Sequence, residues 1–67
     1  MDNGIQTDDG LTVSFDGMTA RYCHYLVSGT SDESAAIAAA ESVTGLVASH
    51  ADPEPFYDGF TVTLERF

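Results

Sequence analysis

Two stretches of the chain alternate apolar and polar residues with the period of two that is typical of half-buried strands. They span residues 11–15 and residues 60–66, and the second is the clearer. Its inward-facing residues are predicted to be Phe60, Val62 and Leu64. Between them, residues 18–28 continue in types that favour extended backbone. The pattern therefore predicts at least three strands that share one core.

Asp16 and Gly17 separate the first two predicted strands. An Asp-Gly pair between extended runs is a strong hairpin signal, because a type I′ turn needs positive φ at both central positions. This turn predicts a register that pairs Phe15 with Met18, Val13 with Ala20, and Leu11 with Tyr22. The second strand then ends apolar on both faces. Its far side, with Cys23, Tyr25 and Val27, is either covered by the chain itself or exposed.

A helix is predicted after the second strand. Thr30 and Glu33 have the spacing of a capping box, and an Ala-rich run follows over residues 34–43. Positions at helical spacing form one stripe that is expected to pack on the sheet: Ala36, Ile37, Ala40, Val43 and Thr44.

Gly45 leaves two alternatives open. As a left-handed residue it would end the helix, and residues 46–50 would form another strand, which we favour. Otherwise the helix passes through Gly45 and stops near His50. Two prolines favour a loop over residues 51–55 under either alternative. Together these elements predict a small two-layer α+β domain of type ββαβ(β), with an antiparallel sheet and one helix on one face. Residues 1–10 are expected to be a mobile arm, and residues 11–67 a single domain.

Composition points to a salt-rich habitat. The 67 residues include 11 Asp and Glu, two Arg and no Lys, which gives a net charge of −9. This excess of acid without lysine resembles proteins of salt-loving archaea, where molar salt screens repulsion between carboxylates. The same charge argues against nucleic-acid binding, which needs basic surfaces.

The sequence also limits the compartment and the covalent chemistry. No apolar run is long enough to cross a bilayer, and the first residues lack the features of a signal peptide. We therefore expect a cytoplasmic location at high salt, or a virion, and no membrane insertion. Cys23 is the single cysteine, so no disulfide can form within the chain.

Residues that could carry catalysis or bind metal do not form a recognised pattern. Cys23 and His24 are neighbours in a predicted strand and so point to opposite faces, which prevents a thiolate–imidazole pair. With His50 they match no zinc-site spacing. The acidic loop over residues 52–58 lacks the ligand pattern of an EF-hand. We expect no catalytic residue, no cofactor and no metal, and hence no enzyme.

Aromatic residues suggest a function in protein contacts, because interface cores are rich in Tyr and Phe. The expected interface residues are Cys23, Tyr25, Val27, Phe56, Tyr57 and Phe67. The strand, cap and Ala-rich helix of residues 21–36, with the aromatic strand of residues 59–67, resemble small structural proteins of haloarchaeal tailed viruses. This resemblance implies a structural virion component. With or without this resemblance, the sequence predicts a protein–protein assembly subunit that forms a homo-oligomer or larger assembly. The alternative is a small acidic cytoplasmic adaptor or regulator.

Overall fold

A computed structural model describes residues 4–66 of the chain as one sheet covered on one side by a helix. The elements in order are β1 (Gly4–Gln6), β2 (Thr12–Met18), β3 (Tyr22–Ser28), α1 (Glu33–Thr44), β4 (Val47–Pro53) and β5 (Gly59–Glu65). The strands are antiparallel to their neighbours and lie in the order β1-β2-β3-β5-β4. This confirms the predicted α+β class.

The last strand of the chain lies between β3 and β4. Both neighbours are antiparallel to β5 and therefore run parallel to each other, so α1 connects two parallel strands that another strand separates. The prediction that Phe60, Val62 and Leu64 face the core is confirmed, because all three are buried. Buried residues of α1 (Ala36, Ala39 and Ala40) pack in the same cluster. Their small side chains let the helix approach the sheet closely.

Gly45 ends the helix, as predicted. Its φ of 74° is left-handed, and its N–H donates to the carbonyl of Glu41 at 2.8 Å. The chain is then free to form β4. This strand continues to Pro53, so the predicted loop over residues 51–55 is wrong for residues 51–53. Proline is tolerated there because β4 is an edge strand.

The helix begins two residues later than a capping box at Thr30 would place it. Asp32 is the N-cap, and its Oδ1 accepts from the N–H of Ser34 at 3.1 Å. Thr30 Oγ1 instead accepts from the N–H of Asp32 at 3.0 Å. The predicted capping box is therefore wrong. Thr30 holds the backbone of Asp32 in place, and Asp32 caps the helix.

The predicted hairpin turn at Asp16 and Gly17 is also wrong. β2 continues to Met18, and the turn follows it, closed by the N–H of Thr19 donating to the carbonyl of Tyr22 at 2.8 Å. Asp16 lies instead at a bulge, where the register shifts between Phe15 and Gly17. The later turn allows longer pairing, and it sets Val13 opposite Val27. Both are fully buried, which explains why this register is preferred.

Part of the predicted mobile arm belongs to the sheet. β1 pairs with β2 and sets Ile5 opposite Val13. A turn then leads to Leu11: the N–H of Thr7 donates to the Leu11 carbonyl at 2.8 Å, and the N–H of Gly10 to the Thr7 carbonyl at 3.0 Å. The domain therefore includes residues 4–10, and residues 1–3 lie outside the described part of the chain.

Candidate interaction surface

The observed register assigns the side chains of β3 to faces opposite to those predicted. Cys23, Tyr25 and Val27 pair with Leu64, Val62 and Phe60, the buried residues of β5. They therefore face α1, while His24 and Leu26 face the uncovered side of the sheet. Cys23 and Val27 are buried in the chain's own core, so their proposed role at an exposed interface is wrong. The cause is the displaced turn, which changes the pairing of the whole strand.

Tyr25 marks the boundary of the covered region. It is partly buried against the core, and its ring meets that of Phe15 edge to face, with centroids 5.5 Å apart. Phe15 itself is half exposed. Tyr25 therefore belongs to the core on one side and supports an exposed aromatic residue on the other.

Two further large apolar side chains lie exposed near Phe15 on β1 and β2, and we call the three together the edge patch: Ile5, Phe15 and Met18. Each is at least half exposed. They share the helix-facing side of the sheet, because their strand partners are Val13, Tyr25 and Cys23. The helix packs mainly over β4, β5 and β3 and reaches only the part of β2 near Val13, so the far end of β2, with Phe15 and Met18, stays exposed. Neighbouring exposed apolar side chains are candidates for contact with another molecule.

The loop between β4 and β5 carries two of the predicted interface residues. Phe56 is 92% exposed and Tyr57 is 42% exposed. Local burial raises the pKa of the Tyr57 phenol, and the nearby carboxylates of Glu54 and Asp16 raise it further. Contact of these residues with a partner stays a prediction. Phe67, the last predicted interface residue, lies outside the described residues.

The uncovered face of the sheet carries Leu26 and several polar side chains, the histidines among them. His24 Nδ1 and the buried Thr63 hydroxyl share a hydrogen bond of 3.0 Å. Thr63 of β5 pairs with His50 on the neighbouring strand β4. The Nε2 atom of His50 lies 3.6 Å from Asp52 Oδ2. The two histidines are thus two strands apart, roughly 10 Å at the backbone. Among residues 4–66 no three His, Cys, Asp or Glu side chains are placed to hold a metal ion.

The edge patch was missed in the sequence because Ile5 lies ten residues before Phe15 and because the sequence does not show how far the helix covers β2. Ile5 was assigned to a mobile arm, and Met18 was placed opposite Phe15 across a turn that does not form there. The alternation of Ile5 with polar neighbours was the available signal for β1, but three residues are too few to distinguish a strand from a loop.

Comparisons with protein-family profiles, curated proteins and solved structures give no match.

α1 is 12 residues long, and within residues 4–66 no helix has the length and apolar character needed to cross a membrane.

Proposed function

We propose that this chain is a non-enzymatic assembly subunit that binds a second copy of itself through the edge patch. The observation that carries the proposal is the exposure of Ile5, Phe15 and Met18 together, on the side of the sheet where the helix buries the rest. Their burial against apolar surface would contribute favourably to association, in proportion to the area removed from water.

A second copy is the occupant we favour because the patch lies at one edge of the sheet, where β1 has a neighbouring strand on one side only. A two-fold axis beside β1 would bring each patch onto its equivalent, as in most homodimers. Each copy carries a charge of −9, so the interface would form at high salt, where repulsion between copies is screened. A high-salt cytoplasm or a virion fits this requirement, and the resemblance to structural proteins of haloarchaeal tailed viruses favours the virion.

The test is molar mass by light scattering in roughly 3 M potassium chloride, where the Debye length falls below about 3 Å. The native chain is expected to be a dimer or larger assembly. The double variant Phe15→Ser with Met18→Gln is expected to be a folded monomer, with folding checked by circular dichroism.

Val47→Gln is the matched control. Val47 is 59% exposed on β4, at the opposite edge of the sheet, so its replacement should leave the assembly intact. A native chain that is monomeric at every salt concentration would contradict the proposal. Equal loss of assembly in the Val47 variant would also contradict it, because the effect would then not depend on the edge patch.

A small acidic adaptor is the second candidate, and the exposure of Phe56 favours it. This ring is almost fully exposed in a loop that also carries Glu54 and Asp58. A single exposed aromatic residue among charges is a typical anchor for a pocket on another protein. In that case the native chain would be a monomer in salt. The Phe56→Ser variant would no longer bind the partner protein, whereas the double variant of Phe15 and Met18 would still bind it.

A further inference from the structure

The only two basic residues of the chain, apart from its histidines, lie together at one end of the sheet. Arg21 and Arg66 line one groove of about 240 Å³, with Tyr22 and Glu65. The groove lies where β3 begins and β5 ends, and none of its lining residues belongs to the edge patch. With 11 acidic residues distributed along the chain, this concentration of positive charge needs an explanation.

The backbone sets the two arginines directly opposite each other. Tyr22 pairs with Glu65 in the β3–β5 ladder, and the N–H of Arg66 donates to the carbonyl of Arg21 at 2.9 Å, which continues the ladder by one pair. Like charges at directly opposite positions destabilise a sheet. The arrangement becomes favourable when an anion lies between the two guanidinium groups.

No carboxylate of the described chain fills that position. Within residues 4–66 the Arg21 guanidinium has neither a hydrogen bond nor an ion pair, and Glu65 lies beyond ion-pair distance of both arginines. Arg66 Nη1 donates to the Thr19 carbonyl at 2.7 Å, which holds that guanidinium in place and leaves its other N–H groups available.

The local charge indicates the class of ligand. Two arginines and one glutamate give the groove a net charge of +1, which matches a single negative charge. A phosphate dianion would be repelled by Glu65 and by the overall charge of −9. A carboxylate is planar, carries one charge and accepts two parallel hydrogen bonds from a guanidinium. We propose that the groove of Arg21, Tyr22, Glu65 and Arg66 binds a carboxylate group, from a small organic acid or from the carboxyl terminus of a polypeptide.

The test is an NMR titration of the native chain at a constant concentration of potassium chloride at which the chain is folded. The probe is N-acetylglycine, and its neutral amide is the control ligand. Saturable shifts of the Arg21, Tyr22 and Arg66 signals are expected with the acid and not with the amide, with a dissociation constant in the millimolar range.

Two substitutions change the groove in opposite directions. Arg21→Gln removes one charge-assisted partner and is expected to weaken binding by roughly tenfold. Glu65→Gln removes the repelling carboxylate and is expected to tighten binding. Asp58→Asn changes the net charge by the same amount at the far end of the β3–β5 ladder, and it is expected to leave the affinity nearly unchanged.

The source of the carboxylate is distinguished by a short peptide with a free carboxyl terminus. Tighter binding of this peptide than of N-acetylglycine assigns the group to a polypeptide, and equal binding assigns it to a small acid. The proposal is overturned if the acid causes no shifts in the groove, if the amide causes the same shifts, or if Arg21→Gln binds as tightly as the native chain. Weaker binding by Glu65→Gln would overturn it too.

Discussion

Gly59 lies at the first position of β5, opposite Ser28 of β3. A Cβ added there would lie 2.5 Å from the Val27 carbonyl oxygen, 2.7 Å from the Tyr57 ring and 3.1 Å from Ser28 Cα. Two of these neighbours are backbone in a paired strand and cannot move without disturbing the ladder. Only glycine fits this position, and the reason is space rather than an unusual backbone angle.

Gly59→Ala is therefore expected to destabilise the fold by about 1–3 kcal/mol, the usual cost of forcing an extra group into a packed site. Gly17→Ala is the matched control, because a Cβ there meets no atom within 4 Å. The control should be neutral or slightly stabilising, since alanine loses less backbone freedom than glycine in a strand. Denaturant unfolding of both variants measures the difference, and equal stability of the two would contradict the explanation.

Tyr57, in the loop between β4 and β5, provides a test of the local electrostatics. Burial raises the pKa of its phenol, and Glu54 and Asp16 raise it further, so the folded state favours the neutral form. This raised pKa contributes to the free energy of unfolding at pH values below the pKa of tyrosine in the unfolded chain. The contribution is lost as the pH rises through the pKa of Tyr57 in the folded chain. Asp16→Asn is expected to lower the pKa of Tyr57, measured by NMR titration of the ring carbon that bears the hydroxyl. A pKa at or below the ordinary tyrosine value in the native chain would contradict this account.

At the scale of elements, the type of β5 and the end of α1 were predictable from patterns within each element, whereas the exact N-cap and the strand register were not. The alternation in residues 60–66 indicated β5 correctly, because a two-residue period needs no knowledge of the neighbours. Gly45 indicated the end of α1 for the same reason. The hairpin was wrong because Asp16 and Gly17 suit a bulge as well as a turn, and the choice depends on burying Val13 against Val27.

The start of α1 gives a prediction that separates two capping arrangements. Asp32→Ala is expected to cost about 1 kcal/mol, the usual loss when a helix N-cap is removed. Thr30→Ala should cost less, because Thr30 Oγ1 accepts from the N–H of Asp32 and not from the helix. Ser31→Ala, at an exposed position between them, is the control. Thermal unfolding measures all three, and a larger loss for Thr30 than for Asp32 would restore the capping box.

At the scale of the molecule, the candidate sites depend on contacts between distant parts of the chain. The arginine groove forms only because β5 returns to lie beside β3, which brings residue 66 opposite residue 21. The edge patch forms because one helix covers only part of a five-stranded sheet. Neither arrangement is visible in local sequence. The composition, in contrast, is independent of the fold, and the inference of high-salt adaptation drawn from it stays a prediction.

That inference is testable through the stability of the native chain. A charge of −9 on 67 residues repels itself most strongly in the folded state, where the carboxylates are closest together. Raising potassium chloride from about 0.1 M to about 3 M shortens the Debye length from about 10 Å to below 3 Å, so the melting temperature should rise, by about 10 °C if screening contributes roughly 2 kcal/mol.

Salt also strengthens the burial of apolar groups, so a variant with fewer negative charges is needed to isolate screening. Asp8→Asn with Asp9→Asn changes two exposed residues of the turn before β2 and reduces the net charge from −9 to −7. If repulsion is the cause, this variant melts higher than the native chain in dilute buffer, and the difference narrows in molar salt. Parallel salt curves for the two proteins would show instead that salt acts on apolar burial, and a melting temperature independent of salt would contradict adaptation to high salt.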